Sequence, residues 1–163
     1  MAGRQPVPIS ERAVQGLRKI DISGSAIIPA PAKRVWALVR DFDAMPEWNA
    51  TIRSSRIERG PPDRIGCRRV LTFDDGSVWI HELTKLSDAG MTIAYAIVGA
   101  PPTTPIPMRD YRALIQLERL NGEQCRVTWR ATLETEQPDA VRQRAQAVFE
   151  AGFDGLKRKF RPS

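Results

Sequence analysis

The sequence predicts an α+β domain in which a curved antiparallel sheet wraps one long C-terminal helix, and three observations carry that expectation. Short alternating segments follow one another from about residue 51 to residue 134, an early helical pair interrupts the strands, and the last helical segment has one continuous apolar face. Such a face needs a sheet to cover it.

Taken in order, residues 1–18 mix polar, Pro and Gly positions without a sustained period and read as a loose arm, in which Ser10-Glu11-Arg12-Ala13-Val14 is the one stretch able to start a short helix. Regular structure begins near Lys19, and residues 19–163 are read as one domain. Lys19 to Ile28 alternates as a strand, and Pro29-Ala30-Pro31 opens a helix containing Val35, Trp36, Leu38 and Val39. A second short helix or turn centres on Met45-Pro46-Glu47-Trp48. Strands are then expected at about 51–59, 66–73, 77–87, 90–98, 109–120 and 124–134. Finally, Val141, Ala145, Val148, Phe149, Gly152, Phe153, Leu156 and Phe160 recur at spacings of three and four, with Pro138 and Asp139 suited to the helix start and Lys157-Arg158-Lys159 to its end. Gly152 and Gly155 cost roughly 1 kcal/mol each inside a helix relative to Ala, which points to close packing there or to space beside a cavity.

At 163 residues the chain is long enough for one core with room for a ligand cavity, and its 27% charged content excludes disordered and membrane-embedded classes. No apolar stretch is long enough to span a bilayer, and residues 1–16 lack the apolar block of a signal peptide, so a cytoplasmic location is the default expectation. Cys67 and Cys125 fall outside metal-ligand spacing and are read as reduced core thiols. The net charge of +6 is scattered except at the C-terminal end, and no nucleic-acid motif accompanies it. No phosphate loop, dinucleotide fingerprint or metal cluster is present, so no cofactor is expected.

Two charged residues stand out on otherwise apolar strand faces. Cys67, Arg69, Leu71 and Phe73 share one parity, and Val78, Ile80, Glu82, Thr84 and Leu86 share another. With a two-residue turn at Asp75-Gly76, Phe73 pairs with Val78, Leu71 with Ile80 and Arg69 with Glu82, which gives each inward charge a partner. A four-residue loop at Ser87-Asp88-Ala89-Gly90 extends the row to Tyr95. Phe73, Ile80 and Ile97 share that face, and Tyr111 and Trp129 join it from later strands. In that register the sole histidine, His81, points away. Between the last two strands, placing Tyr111, Ala113, Ile115 and Leu117 opposite Val127, Trp129, Ala131 and Leu133 requires a three-residue loop at Asn121-Gly122-Glu123, with Gly122 left-handed.

Pro31-Ala32-Lys33-Arg34-Val35-Trp36, Asp41-Phe42, Pro46-Glu47-Trp48, Gly66-Cys67-Arg68-Arg69, Asp75-Gly76, Glu82-Leu83, Tyr95, Tyr111 and Val127-Thr128-Trp129 together resemble the START-like, Bet v 1-like superfamily over about residues 19–160, most of all its polyketide cyclase/dehydrase-type branch. That resemblance implies a helix-grip fold, with seven antiparallel strands, two short helices after the first strand and a hydrophobic cavity. It also implies that Arg69, Glu82, Tyr95 and Tyr111 are counterparts of pocket residues used in catalysis by synthase-like members.

Two functions therefore stand open. In the first, the cavity binds a small hydrophobic or amphipathic molecule, such as a lipid, polyketide or similar metabolite, through Arg69, Phe73, Ile80, Glu82, Tyr95, Ile97, Tyr111 and Trp129, in a carrier or sensor role. The second is a cofactor-independent cyclase, dehydratase or isomerase in which Glu82 moves a proton, Arg69 stabilises negative charge and Tyr95 or Tyr111 orients an oxygen. Pro101-Pro102-Thr103-Thr104-Pro105-Ile106-Pro107 is expected to be a stiff loop near the mouth. No nucleic acid and no stable membrane insertion are expected in either case.

Overall fold

The computed structural model describes residues 16–101 and 108–162. Seven strands, β1 (Arg18–Ile28), β2 (Ile52–Arg59), β3 (Arg68–Phe73), β4 (Val78–Ser87), β5 (Thr92–Gly99), β6 (Arg109–Arg119) and β7 (Cys125–Thr135), form one antiparallel sheet in the order β1-β7-β6-β5-β4-β3-β2. Helix α1 (Ala32–Val39) and a single 3-10 turn (Met45–Glu47) stand where two short helices are expected. Helix α2 (Pro138–Lys159) packs against β1 and β7, with Pro138 in its first turn and Lys157, Arg158 and Lys159 in the last. This is the helix-grip arrangement. Residues 1–15 and 102–107, which include most of the expected arm and of the Pro-rich loop, lie outside the described residues.

Close approach between helix and sheet is built on glycine. A Cβ on Gly24 of β1 would lie 3.2 Å from the Phe153 ring, and one on Gly152 would lie 2.8 Å from Trp129 and 2.9 Å from Trp48. At Gly155 it would overlap the carbonyl oxygen of Trp48. Both helical glycines therefore serve packing, and the segment after the 3-10 turn sits directly on α2.

The β6–β7 register is as expected, with Ile115 opposite Trp129, Leu117 opposite Val127 and a three-residue Asn121-Gly122-Glu123 loop. Gly122, however, does not adopt a positive φ; Asn121 braces the turn instead, accepting from the Glu123 N–H at 2.8 Å.

The β3–β4 register departs from expectation by one residue. Gly76 has φ +85°, the Phe73 N–H donates to the Ser77 carbonyl at 2.9 Å, and the loop holds three residues, Asp74-Asp75-Gly76. Arg69 consequently faces His81, and Glu82 faces Arg68. The inward side chains of β4 are Trp79, His81 and Leu83, whereas Val78 is exposed and Ile80 and Glu82 are only partly buried. A bulge between Leu83 and Lys85 then reverses the parity, so that Leu86 packs against the core. The next loop is displaced by one residue, spanning residues 88–91 with Met91 at φ 45°, and Tyr95 pairs with Leu83 rather than Glu82.

Candidate functional site

The inner row runs Arg69, His81, Tyr95. Arg69 is 2% exposed and His81 4% exposed. The Arg69 guanidinium donates from Nη1 to the Phe42 carbonyl at 2.9 Å, and Nε and Nη2 approach His81 Nδ1 at 3.4 and 3.1 Å. Its charge is further held by the Phe42 and Tyr95 rings, whose centroids lie 4.0 and 4.8 Å from Cζ. His81 stacks on Tyr95 with centroids 4.6 Å apart and planes 12° from parallel. This is a diagonal cross-strand pair on the inner face.

The electrostatics follow from burial without a carboxylate partner. Burial pushes Arg69 down to about 10, against the opposing fields of Tyr95, Cys67 and Asp43. Burial, reinforced by the Arg69 cation, holds His81 well below the usual imidazole value. Neutral His81 accepts from Arg69 at Nδ1, so its proton sits on Nε2. Tyr95 and Tyr111 are both raised by burial and remain phenols at neutral pH. The Trp129 indole N–H faces the Tyr95 oxygen closely enough to favour its ionised form somewhat, yet it falls short of a complete hydrogen bond.

Next to this row lies a cavity of about 60 Å³ lined by residues from every layer. Phe73, Trp79, His81, Tyr95 and Ile97 come from β3 to β5, Tyr111 and Trp129 from β6 and β7, and Met45 from the 3-10 turn. Helix α2 closes it with Val141, Arg144, Ala145 and Val148. A bulge at Asp110, with φ 53°, precedes Tyr111 where β6 meets this wall.

Of the residues singled out from sequence, Phe73, Tyr95, Ile97, Tyr111 and Trp129 line the cavity. Arg69 is inward but lies behind His81 and does not line it. Ile80 and Glu82 are outside: Ile80 covers Gly99 on the other face, and Glu82 accepts from Arg68 Nε at 3.0 Å. Glu82 therefore cannot take a proton from a guest in this cavity. Because that ion pair is partly exposed, Glu82→Gln should change stability by no more than about 1 kcal/mol and leave ligand affinity within about twofold. A larger loss of affinity would return Glu82 to the site. His81, Trp79 and Arg144 were missed. The signal for the first two was Gly76, which permits an odd loop as readily as an even one.

A mostly apolar chamber between a curved sheet and its gripping helix, with a few polar groups at one wall, defines a helix-grip domain with an internal cavity. The family described as polyketide cyclase/dehydrase and lipid transport matches residues 19–161, and the chain belongs to that family. Among solved structures, the Bacillus cereus protein XoxI superposes with TM-score 0.76 at 24% identity, covering 86% of this chain and 94% of its own. A START superfamily protein from Mycobacterium smegmatis gives 0.71 at 16% identity, with coverage of 86% and 96%. Ara h 8.0201 gives 0.64 at 19% identity, with coverage of 85% and 98%. These likenesses establish the fold. No functionally curated protein matches the sequence. Among the described residues, no helix is long and apolar enough to cross a membrane.

Proposed function

We propose that this protein binds a small, largely apolar molecule whose oxygen accepts a hydrogen bond from His81 Nε2–H, with the aromatic wall packing the body of the guest. The observation that carries this reading is the chemistry of the lining. Among the described residues His81 Nε2 has no protein partner and no carboxylate lines the chamber, while Tyr95 and Tyr111 are phenols. Donors without a base suit recognition of a carbonyl or similar acceptor better than proton abstraction. Arg69 acts through His81 as a positioning residue, fixing the tautomer whose proton faces the guest.

Stability alone is a poor reason for Arg69. Burial leaves the Arg69 guanidinium, lowered to about 10 despite the opposing fields around it, with a net desolvation penalty that an apolar side chain would not carry. At about 60 Å³ the chamber is well under the ~300–1,000 Å³ of common small-molecule sites, which favours a compact guest. A lipid- or polyketide-sized guest requires the lining to move apart, and the unbranched side chains of Met45 and Met108 are the most adaptable parts of it.

Quenching of Trp79 and Trp129 fluorescence gives the test, with 4-phenylbutan-2-one compared against butylbenzene. The ketone should bind about tenfold more tightly, the value of one buried hydrogen bond, and His81→Phe, which keeps the stack on Tyr95, should erase that margin. Equal binding of ketone and hydrocarbon, or binding of neither, would overturn the reading.

A further inference from the structure

We infer that the guest is a small apolar carboxylic acid whose carboxylate is held by Arg144 at the edge of the cavity, an inference that rests on the ligand-binding reading above. Among the described residues Arg144 is the one formal charge in the lining, since His81 is neutral and the other lining residues are uncharged. It reaches from α2 across to the β3–β4 hairpin, where its Cζ lies 5.7 Å from the Phe73 ring centroid and 5.9 Å from that of Trp79. The two rings meet edge to face at 6.5 Å. The guanidinium thus lies against the same aromatic surface that would pack the body of a guest.

Its hydrogen-bonding capacity is only partly used. Nη2 donates to Asp75 Oδ2 at 3.2 Å, and no other hydrogen-bond partner of Arg144 is found among the described residues. Asp75 does not depend on that bond, because its Oδ1 accepts from both the backbone N–H and the hydroxyl of Ser77. Nη2 carries two N–H groups, and the one not given to Asp75 forms a carboxylate-matching fork with either Nε or Nη1, so a second carboxylate can be engaged without dismantling the turn. At 33% side-chain exposure Arg144 remains partly hydrated, so the ligand's charge need not enter the apolar chamber. An acid seated this way keeps its charged end at the rim and its apolar end on Trp79, Ile97 and Val148.

The full chain is titrated with 4-phenylbutanoate and with 4-phenylbutan-1-ol near neutral pH, in the wild type and in Arg144→Met and Arg144→Lys. The wild type should bind the acid roughly tenfold or more tightly than the alcohol, as expected for a charge-assisted pair. In Arg144→Met the acid should fall to the affinity of the alcohol measured in the same variant, and Arg144→Lys should keep part of the preference. Equal affinities in the wild type, or a preference that survives in Arg144→Met and so reflects the overall positive charge, would overturn the inference. If the alcohol and 4-phenylbutan-2-one bind while the acid gains nothing, the carboxylate assignment alone falls. Binding of none of the three removes the ligand-binding reading as well.

Discussion

Replacing Gly155 by alanine should destabilise the protein, even though alanine is the better helix former. The substitution gains about 1 kcal/mol of intrinsic helix propensity. Against this, the new Cβ would overlap the Trp48 carbonyl oxygen and lie 2.6 Å from its carbonyl carbon, atoms of the main chain that cannot rotate away. Overpacking against mobile side chains already costs about 1–3 kcal/mol, and a rigid backbone partner belongs at or above the upper end. A net loss of at least about 2 kcal/mol should lower the melting temperature by roughly 4–8 °C. Gly122→Ala is the control, because a Cβ there meets nothing within 4 Å and its φ is not positive. That variant should stay within about 0.5 kcal/mol of wild type. A Gly155→Ala protein that melts at or above wild type would show that α2 can lift from the Trp48 segment without loss.

The same contact explains why much of the fold was legible from residue spacing. The apolar face of α2 and the alternation in β6 and β7 are set by one periodicity each, and both recur in the structure with the expected inward residues. Arg69 also sits on its expected face. What the pattern could not reveal was β4, where two single-residue irregularities act in opposite senses. The three-residue loop turns Trp79, His81 and Leu83 inward, and the Thr84 bulge then brings Leu86 back to the core. Val78, Ile80 and Leu86 share a parity in sequence but not a face in space. A period-two reading follows the larger apolar set and places Glu82 inside. The buried imidazole was thus mistaken for an outward residue, and the partly exposed carboxylate for the partner of Arg69. Arg144 escaped notice because a basic residue near the start of a helix carries no period, and only the folded hairpin brings Phe73 and Trp79 beneath it.

Acid should destabilise the protein earlier than its carboxylates would dictate, because of His81. The imidazole has a folded-state pKa well below its ordinary 6.5, chiefly from burial and secondarily from the Arg69 cation. Above pH 6.5 both folded and unfolded chains carry it neutral, and it contributes no pH dependence. As pH falls below that value the unfolded chain takes the proton first. Stability then declines by about 1.4 kcal/mol per pH unit until the depressed folded-state pKa is reached. This window of falling stability opens at pH 6.5 and extends down to the depressed folded-state value. Asp75 and Asp88, both lowered from 3.8, lose their contributions only at more acidic pH and leave this window clear. Urea midpoints across the window should therefore fall in the wild type and stay nearly flat in His81→Phe. Since the chain contains a single histidine, nitrogen NMR of the labelled imidazole reads the same state without substitution. It should report an unprotonated Nδ1 and a protonated Nε2 that do not titrate near pH 6.5 while the protein is folded. Arg69→Met, which removes the partner of Nδ1, should mix the two tautomers. A folded wild-type imidazole that titrates near 6.5 would mean that His81 is wetted, and the donor wall proposed for the ligand would go with it.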